Sequence, residues 1–243
     1  RSDAKSLCEL AHAAGCLTIV DCVTSLVGCE VDVDGWGADV VYSGTQKCLS
    51  CAPGLSPFTM SERAASLTQT RKTPVPSWFL DMNLVMGYWG AGSTRAYHHT
   101  APVNALYGLH EALLMATEEG LSAAWARHAQ NHEALKAGLE AMGLRFFVPE
   151  SERLAQLNLV EVPAGVDEAL IRRALLGSYN LEIGAGLGPL AGKVWRIGLM
   201  GYASRPENVL LCVSALEAVL AQSNAPIHRG QAIDAVQSVY ASA

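Results

Sequence analysis

The sequence predicts an α/β protein: a mainly parallel sheet covered on both faces, followed by a smaller α/β domain with its own sheet. Three observations carry this expectation. The early β-prone runs are apolar throughout rather than alternating, as strands buried on both faces are. They alternate with helical or loop segments, the pattern of a parallel sheet. After Gly143 a new alternation of strands and helices begins, set apart from the first by two long helical patterns.

Taken in order, residues 3–14 carry Leu7, Leu10, Ala11 and Ala14 at helical spacing, with Asp3 placed to cap the start and Gly15 to stop the end. Cys16-Leu17-Thr18-Ile19-Val20 is an apolar strand ending at Asp21, and further strands follow at 39–43 and 55–60. Residues 61–96, broken by Pro74, Pro76, Gly87, Gly90 and Gly92, read as loops and short helices over the sheet edge. Thr100 with Pro102 marks a helix start. A long helix is expected over 102–119, with Leu106, Leu109 and Leu113 on one face, and a second over 121–141, with Gly120 as the hinge. Then come a strand (154–162), a helix (167–178), a strand (181–183), a Gly-rich loop (184–192), a strand (194–199) and a helix (205–221) that Ser204 and Glu207 would cap. The tail after Asn224 reads as peripheral.

Half of the 243 residues are apolar and 16% are charged, which excludes a disordered chain. Seventeen basic residues stand against 23 acidic ones and form no run that would track a phosphate backbone, so nucleic acid is excluded as a partner. Asp21, His110 with Glu111, and Glu217 interrupt the long apolar stretches, leaving no membrane span. Seven scattered cysteines, an odd number mostly inside apolar runs, suit reduced buried thiols in a soluble intracellular protein. The chain starts at Arg1 and reads as starting in mid-protein, without a signal peptide.

Asp21 and Lys47 are the informative pair. Both lie where an apolar strand gives way to a loop, and open α/β sheets bind ligands outside the carboxyl ends of their strands. A lysine amine can form a Schiff base with pyridoxal phosphate, and a buried carboxylate can hold the pyridine nitrogen protonated. A surface lysine after a strand and an aspartate capping a turn fit the same residues. Arg196 is a charge inside the apolar run Val194-Trp195-Arg196-Ile197-Gly198-Leu199, and a buried charge must be paired, by a structural salt bridge or by a ligand.

Four ordered motifs extend this reading. They are Ile19-Val20-Asp21-Cys22-Val23-Thr24-Ser25-Leu26; Tyr42-Ser43-Gly44-Thr45-Gln46-Lys47 with Pro53-Gly54; Tyr97-His98-His99-Thr100-Ala101-Pro102-Val103; and Gly186-Leu187-Gly188-Pro189 with Arg196-Ile197-Gly198-Leu199. Together they resemble the class V pyridoxal-phosphate aminotransferases, most closely the alanine-glyoxylate and serine-pyruvate group. The resemblance implies the later part of the large domain of a fold-type I enzyme over residues 1–119, the small C-terminal domain over 120–224 and a tail over 225–243. The family's polypeptides are longer, and the portion corresponding to their N-terminal part, with the phosphate-binding helix start and the ring stacked on the pyridine, is not in this sequence.

Residue by residue, the resemblance implies that Lys47 carries the cofactor and moves the proton in transamination, while Asp21 pairs with the pyridine nitrogen. Val23 would pack on the ring and Gln46 would contact the cofactor phosphate. Tyr97 and Thr100 would reach the cofactor of a neighbouring subunit, making a homodimer the working unit. Arg196 would bind the substrate carboxylate, a task suited to the guanidinium fork. Gln46 before the lysine, where desulfurases and kynureninases usually have histidine, favours transamination. The substrates implied are alanine or serine with glyoxylate or another small 2-oxo acid. The alternatives are an aminoethylphosphonate or phosphoserine aminotransferase, or a non-catalytic dimerisation domain on the same scaffold.

Other motifs point elsewhere. Cys48-x-x-Cys51 has no second Cys/His pair for a metal. His128 and His132, one turn apart, lack the metalloprotease glutamate and read as surface or packing residues. His98 and His99 would point to opposite sides of an extended chain. The run 184–193 has neither dinucleotide nor P-loop spacing and precedes a strand. No metal is expected.

Overall fold

The computed structural model describes residues 1–89 and 96–242. Gly90 and Gly92 of the 61–96 segment lie outside them.

The first sheet has the order β1-β2-β3, with β1 at Ile19–Asp21, β2 at Val40–Tyr42 and β3 at Phe58–Met60. β1 and β2 are parallel and pair Asp21 with Tyr42; β3 runs antiparallel to β2, so the parallel character ends at that edge. Helix α1 (Ala4–Ala13) precedes the sheet, and Asp3 caps it by accepting the Ser6 N–H at 3.1 Å. Its helical spacing does not translate into burial: Cys8 is buried, but Leu7 and Leu10 are 55% and 69% exposed and Leu7 borders an open groove of about 1090 Å³ along β1.

Asp39, at the entry to β2, is nearly inaccessible and accepts hydrogen bonds from His12 Nε2 (2.8 Å), the Thr18 N–H (3.0 Å) and Ser61 Oγ (3.1 Å). Burial works against its ionisation, yet the donors from His12, Thr18 and Ser61, with Arg63 nearby, hold its carboxyl below the usual range. This network joins α1, β1, β2 and the helix α2 (Glu62–Gln69) that Ser61 caps.

Helices α3 (Met82–Trp89), α4 (Val103–Glu119) and α5 (Leu121–Ala141) follow. Gly120, at φ +83°, separates α4 from α5 where the hinge was expected. The start of α4 differs: Pro102 occupies the cap without a side-chain bond, because the Thr100 hydroxyl is engaged by the Tyr97 phenol at 2.6 Å. The leucine stripe of α4 is only partly covered: Leu109 packs against the cluster around Val27, Cys48 and Leu49, but no residue of this helix is fully buried.

The second sheet is antiparallel, in the order β4-β6-β5, with β4 at Leu157–Glu161, β5 at Gly184–Ala185 and β6 at Val194–Gly198. The strand expected at 181–183 thus lies slightly later, inside the glycine run, where Gly184 and Ala185 pair with Arg196 and Trp195. Helices α6 (Glu168–Tyr179), α7 (Pro206–Gln222) and α8 (Ala232–Ala241) complete this domain. Asp167 caps α6. The expected Ser204 cap on α7 does not form: Ser204 is fully buried, its hydroxyl accepts from Asn131 Nδ2 at 3.2 Å, and Pro206 opens the helix.

One continuous core fills this domain, from Leu135 and Leu139 on α5 through Val160, Trp195 and Leu216 to Val236 on α8. The tail is therefore not peripheral. Ala232 and Val236 are buried, Val236 packs where a side chain at Gly138 would sit, and the Tyr240 phenol donates to Asn131 Oδ1 at 2.7 Å. Residues 1–119 rest on two smaller clusters, one around Cys8, Cys22, Ala38 and Val41, the other around Val27, Cys48 and Leu49 with Ala124 of α5.

Candidate active site

Asp21 ends β1, and the parallel register sets Tyr42 beside it at the end of β2. The Asp21 carboxylate is held at both oxygens. Oδ1 accepts the Val23 N–H and Oδ2 accepts the Tyr42 phenol, each at 2.8 Å. The phenol's bond to Asp21, with some burial, raises its pKa above the ordinary tyrosine range, so it stays a donor. Val23 is half-buried in the turn that follows.

The loop after β2 is lashed to the loop after β1. Ser43 Oγ donates to the Cys22 carbonyl at 3.0 Å, and the Cys48 thiol lies 3.4 Å from the Thr24 carbonyl. Within the loop, Thr45 Oγ1 donates to the Ala52 carbonyl at 2.8 Å, the Cys51 N–H to the Thr45 carbonyl at 3.0 Å and the Ser50 N–H to the Lys47 carbonyl at 2.9 Å. Ser50 has φ +58°, a left-handed conformation that closes this turn. Lys47 is half-buried, and its amine has no ion-pair partner among the described residues. The exposed Gln46 side chain folds back over Gly44, where a Cβ would lie 2.6 Å from Gln46 Oε1.

Arg196 lies mid-strand in β6, between Leu159 of β4 and Gly184 of β5. Its Nε donates to the Ala185 carbonyl at 2.6 Å. A Cβ at Gly184 would stand 3.3 Å from Nε and Nη2, so the glycine leaves room for the guanidinium. Among the described residues no carboxylate pairs with Arg196, and the structural salt bridge that the sequence allowed is not there.

The turn after β6 meets the Lys47 turn directly. Gly201 (φ +53°) sits where a Cβ would lie 2.0 Å from Ser50 Oγ and 2.5 Å from the Cys48 carbonyl oxygen. The next residue's N–H, Tyr202, donates to Ser50 Oγ at 2.8 Å. α5 clamps the same turn. The Gly201 N–H donates to His128 Nε2 at 2.9 Å, while Arg127, paired with Glu119, donates to the Gly201 and Ser204 carbonyls. His128 is thus a packing residue, as is His132, whose Nδ1 lies 2.7 Å from Asn158 Oδ1.

Tyr97 and Thr100 are exposed and bonded to each other, without a hydrogen bond to Asp21 or Lys47 among the described residues. Between them, the rings of His98 and His99 converge, their Nδ1 atoms 2.7 Å apart, which overturns the expectation of opposite directions. The turn here is not extended: His98 stacks on Trp78 at 4.0 Å and its Nε2–H donates to the Trp78 carbonyl. No metal-ligating group of His, Cys, Asp and Glu forms among the described residues.

Sequence reasoning missed Tyr42, Ser50 and Gly201. Tyr42 was legible only through strand register, whereas Ser50 and Gly201 meet across more than a hundred residues of chain.

With this geometry in place, comparison with known proteins is specific. The family model "Aminotransferase class-V" matches residues 1–207. The chain is 42% identical to alanine-glyoxylate aminotransferase of Felis catus over 214 residues, 87% of this chain and 52% of that protein. The crystal structure of ureidoglycine-glyoxylate aminotransferase from Bacillus subtilis superposes with a TM-score of 0.94 at 42% identity, covering 98% of this chain and 61% of that one. That of alanine-glyoxylate aminotransferase from Nostoc sp. gives 0.87 at 50% identity, covering 90% and 58%. The chain therefore spans between half and two thirds of the length of these relatives.

Proposed function

Since the chain belongs to the class-V aminotransferase family, we propose that it carries the lysine-bearing part of a pyridoxal-phosphate site for transamination between a small amino acid, alanine or serine, and glyoxylate or another small 2-oxo acid. The observation that carries this reading is Arg196: a guanidinium in the middle of a strand, held by one carbonyl, with no protein carboxylate among its described neighbours. Such a group is stabilised by a carboxylate that arrives with the substrate.

The residues present fit the cofactor's chemistry. Bound pyridoxal phosphate supplies an electron sink for the bond broken at the amino donor's Cα. Lys47, whose amine has no ion-pair partner among the described residues, would hold the cofactor and, once displaced by the amino donor, would move the Cα proton. Asp21, oriented from both sides, would accept a hydrogen bond from the protonated ring nitrogen. Val23 packs on the ring, and Gln46 contacts the phosphate. Arg196 binds and orients the substrate carboxylate, and the Ser50–Gly201 contact fixes its strand against the Lys47 turn.

Tyr97 and Thr100 complete the site of a second subunit. Tyr97, Trp78, Phe79 and Leu80 are each more than half exposed, and α4 presents Tyr107, Leu113, Leu114 and Met115 to solvent, apolar surface of the kind that covers an interface. No helix among the described residues is long and apolar enough to cross a membrane.

The glyoxylate acceptor is common to the three relatives. A second candidate donor is ureidoglycine, the one named for the Bacillus subtilis relative that matches 98% of the chain.

The test is incubation of the folded chain with pyridoxal phosphate, borohydride reduction and peptide mapping, followed by a donor panel with glyoxylate. The expected result is a label on Lys47; turnover of alanine, serine or ureidoglycine, with Arg196→Ala raising the donor KM, is expected of the chain joined to the remaining large-domain portion that its relatives carry. Folded protein that takes no label on Lys47 refutes the reading.

A further inference from the structure

We propose that Tyr42 is a positioning residue for Asp21, its phenol fixing the carboxylate plane so that one lone pair meets the ring nitrogen of a pyridine cofactor. The inference rests on the function proposed above and goes beyond it by adding a group behind the carboxylate.

The argument begins with register. β1 and β2 are parallel and bring residues 21 and 42 side by side at their carboxyl ends. In β2 the central Val41 is buried in the sheet's core, while Tyr42 is 36% exposed and belongs to the rim where the loops begin. Packing therefore explains Val41 and leaves the Tyr42 hydroxyl to Asp21 Oδ2, its one partner among the described residues.

The two hydrogen bonds on Asp21 come from different directions and types of group. The Val23 N–H is part of the backbone turn and constrains Oδ1 whatever side chain stands at 42. The phenol constrains Oδ2 and with it rotation about the bond to the carboxylate. Each oxygen offers two lone pairs, so both bonds together leave acceptor capacity for a third donor. With only the backbone bond the carboxylate can swing about Oδ1; with both it presents a fixed edge.

The cofactor itself isolates this role. Pyridoxal phosphate and its 1-deaza analogue, in which CH replaces the ring nitrogen, share phosphate, hydroxyl and aldehyde. They differ only at the atom that Asp21 would touch. The experiment measures the affinity of the full chain for both compounds by fluorescence quenching, in wild type, Tyr42→Phe and Asp21→Asn, with melting temperature as the check on folding. Tyr42→Phe keeps the ring and loses only the hydroxyl. The expected result is about a three- to tenfold weaker affinity of Tyr42→Phe for pyridoxal phosphate, the scale of one ordinary hydrogen bond since the lost bond acts through Asp21, with affinity for the analogue unchanged. Asp21→Asn should show the same selectivity, more strongly.

Equal loss for both compounds means a merely structural phenol and overturns the inference, as does no loss for either. If wild type binds neither compound, the cofactor site itself is refuted and the inference falls with it. A wild type that binds both, with a Tyr42→Phe variant that matches it, refutes the role of Tyr42 alone.

Discussion

Replacing Gly201 by alanine tests whether the contact between the two turns is as tight as the structure describes. Two separate costs are expected. At φ +53° any Cβ is strained, by about 1 kcal/mol. The new methyl would also lie 2.0 Å from Ser50 Oγ and 2.5 Å from the Cys48 carbonyl oxygen, the second of which is backbone and cannot rotate away. Overpacking of this kind costs about 1–3 kcal/mol. Gly188 supplies a matched control, since its φ is +52° and nothing lies within 4 Å of its added Cβ. Gly188→Ala therefore carries the backbone strain alone. The difference between the two variants is about 2 kcal/mol, which for a chain of this size lowers Tm by about 4–8 °C more in Gly201→Ala than in Gly188→Ala. Calorimetric unfolding of the two proteins measures it. Equal Tm values would refute the close approach of the β6 turn to the Lys47 turn.

Burial lowers the pKa of both His128 and His132, so the folded chain binds fewer protons than the unfolded one below the unfolded value of about 6.5. The stability they contribute is full above that pH and is lost as pH falls through their folded values; urea titrations should show this decline, and the double variant His128→Gln/His132→Gln should flatten it. Deleting residues 225–243 removes Val236 from the core and leaves Asn131 Oδ1 without the Tyr240 donor, a loss of about 3 kcal/mol or more that denaturant unfolding will read; an unchanged midpoint would show that α8 is dispensable. Burial pushes the Cys48 thiol up to about 11 and that of Cys212 up to about 12, while Cys16 is exposed. Iodoacetamide at pH 8 should therefore modify Cys16 in the native protein and reach Cys212 only on unfolding, as mass spectrometry of the peptides will show.

Local patterns in the chain made most elements legible. Helices α4, α5, α6 and α7 lie within a residue or two of their expected ranges because apolar periodicity and the break at Gly120 are local signals. Asp21, Lys47 and Arg196 were legible for the same reason, each being a polar group where an apolar run ends or is broken. What the sequence concealed is determined across space. Ser204 looks like a helix cap until Asn131 and Arg127 claim its polar atoms. The tail beyond Asn224 looks dispensable until Gly138 on α5 makes room for Val236. His98 and His99 look divergent until Trp78, twenty residues earlier, turns the backbone between them. Tyr42 was visible as a residue but not as a partner, because parallel pairing joins positions that no short-range pattern relates.

The unequal cores bear on how the chain breathes. Arg196 belongs to the strand at the centre of a continuous core, with Trp195 and Ile197 buried on either side of it. Lys47, on a loop, and Asp21, at the end of β1, are backed by small clusters around Cys48 and Cys22. Amide protons on β6 should therefore exchange only through global opening, whereas those of the Lys47 turn exchange through cheaper, local excursions. On the function proposed above, the lysine thus sits on the part of the chain free to move and Arg196 on the part that stays still.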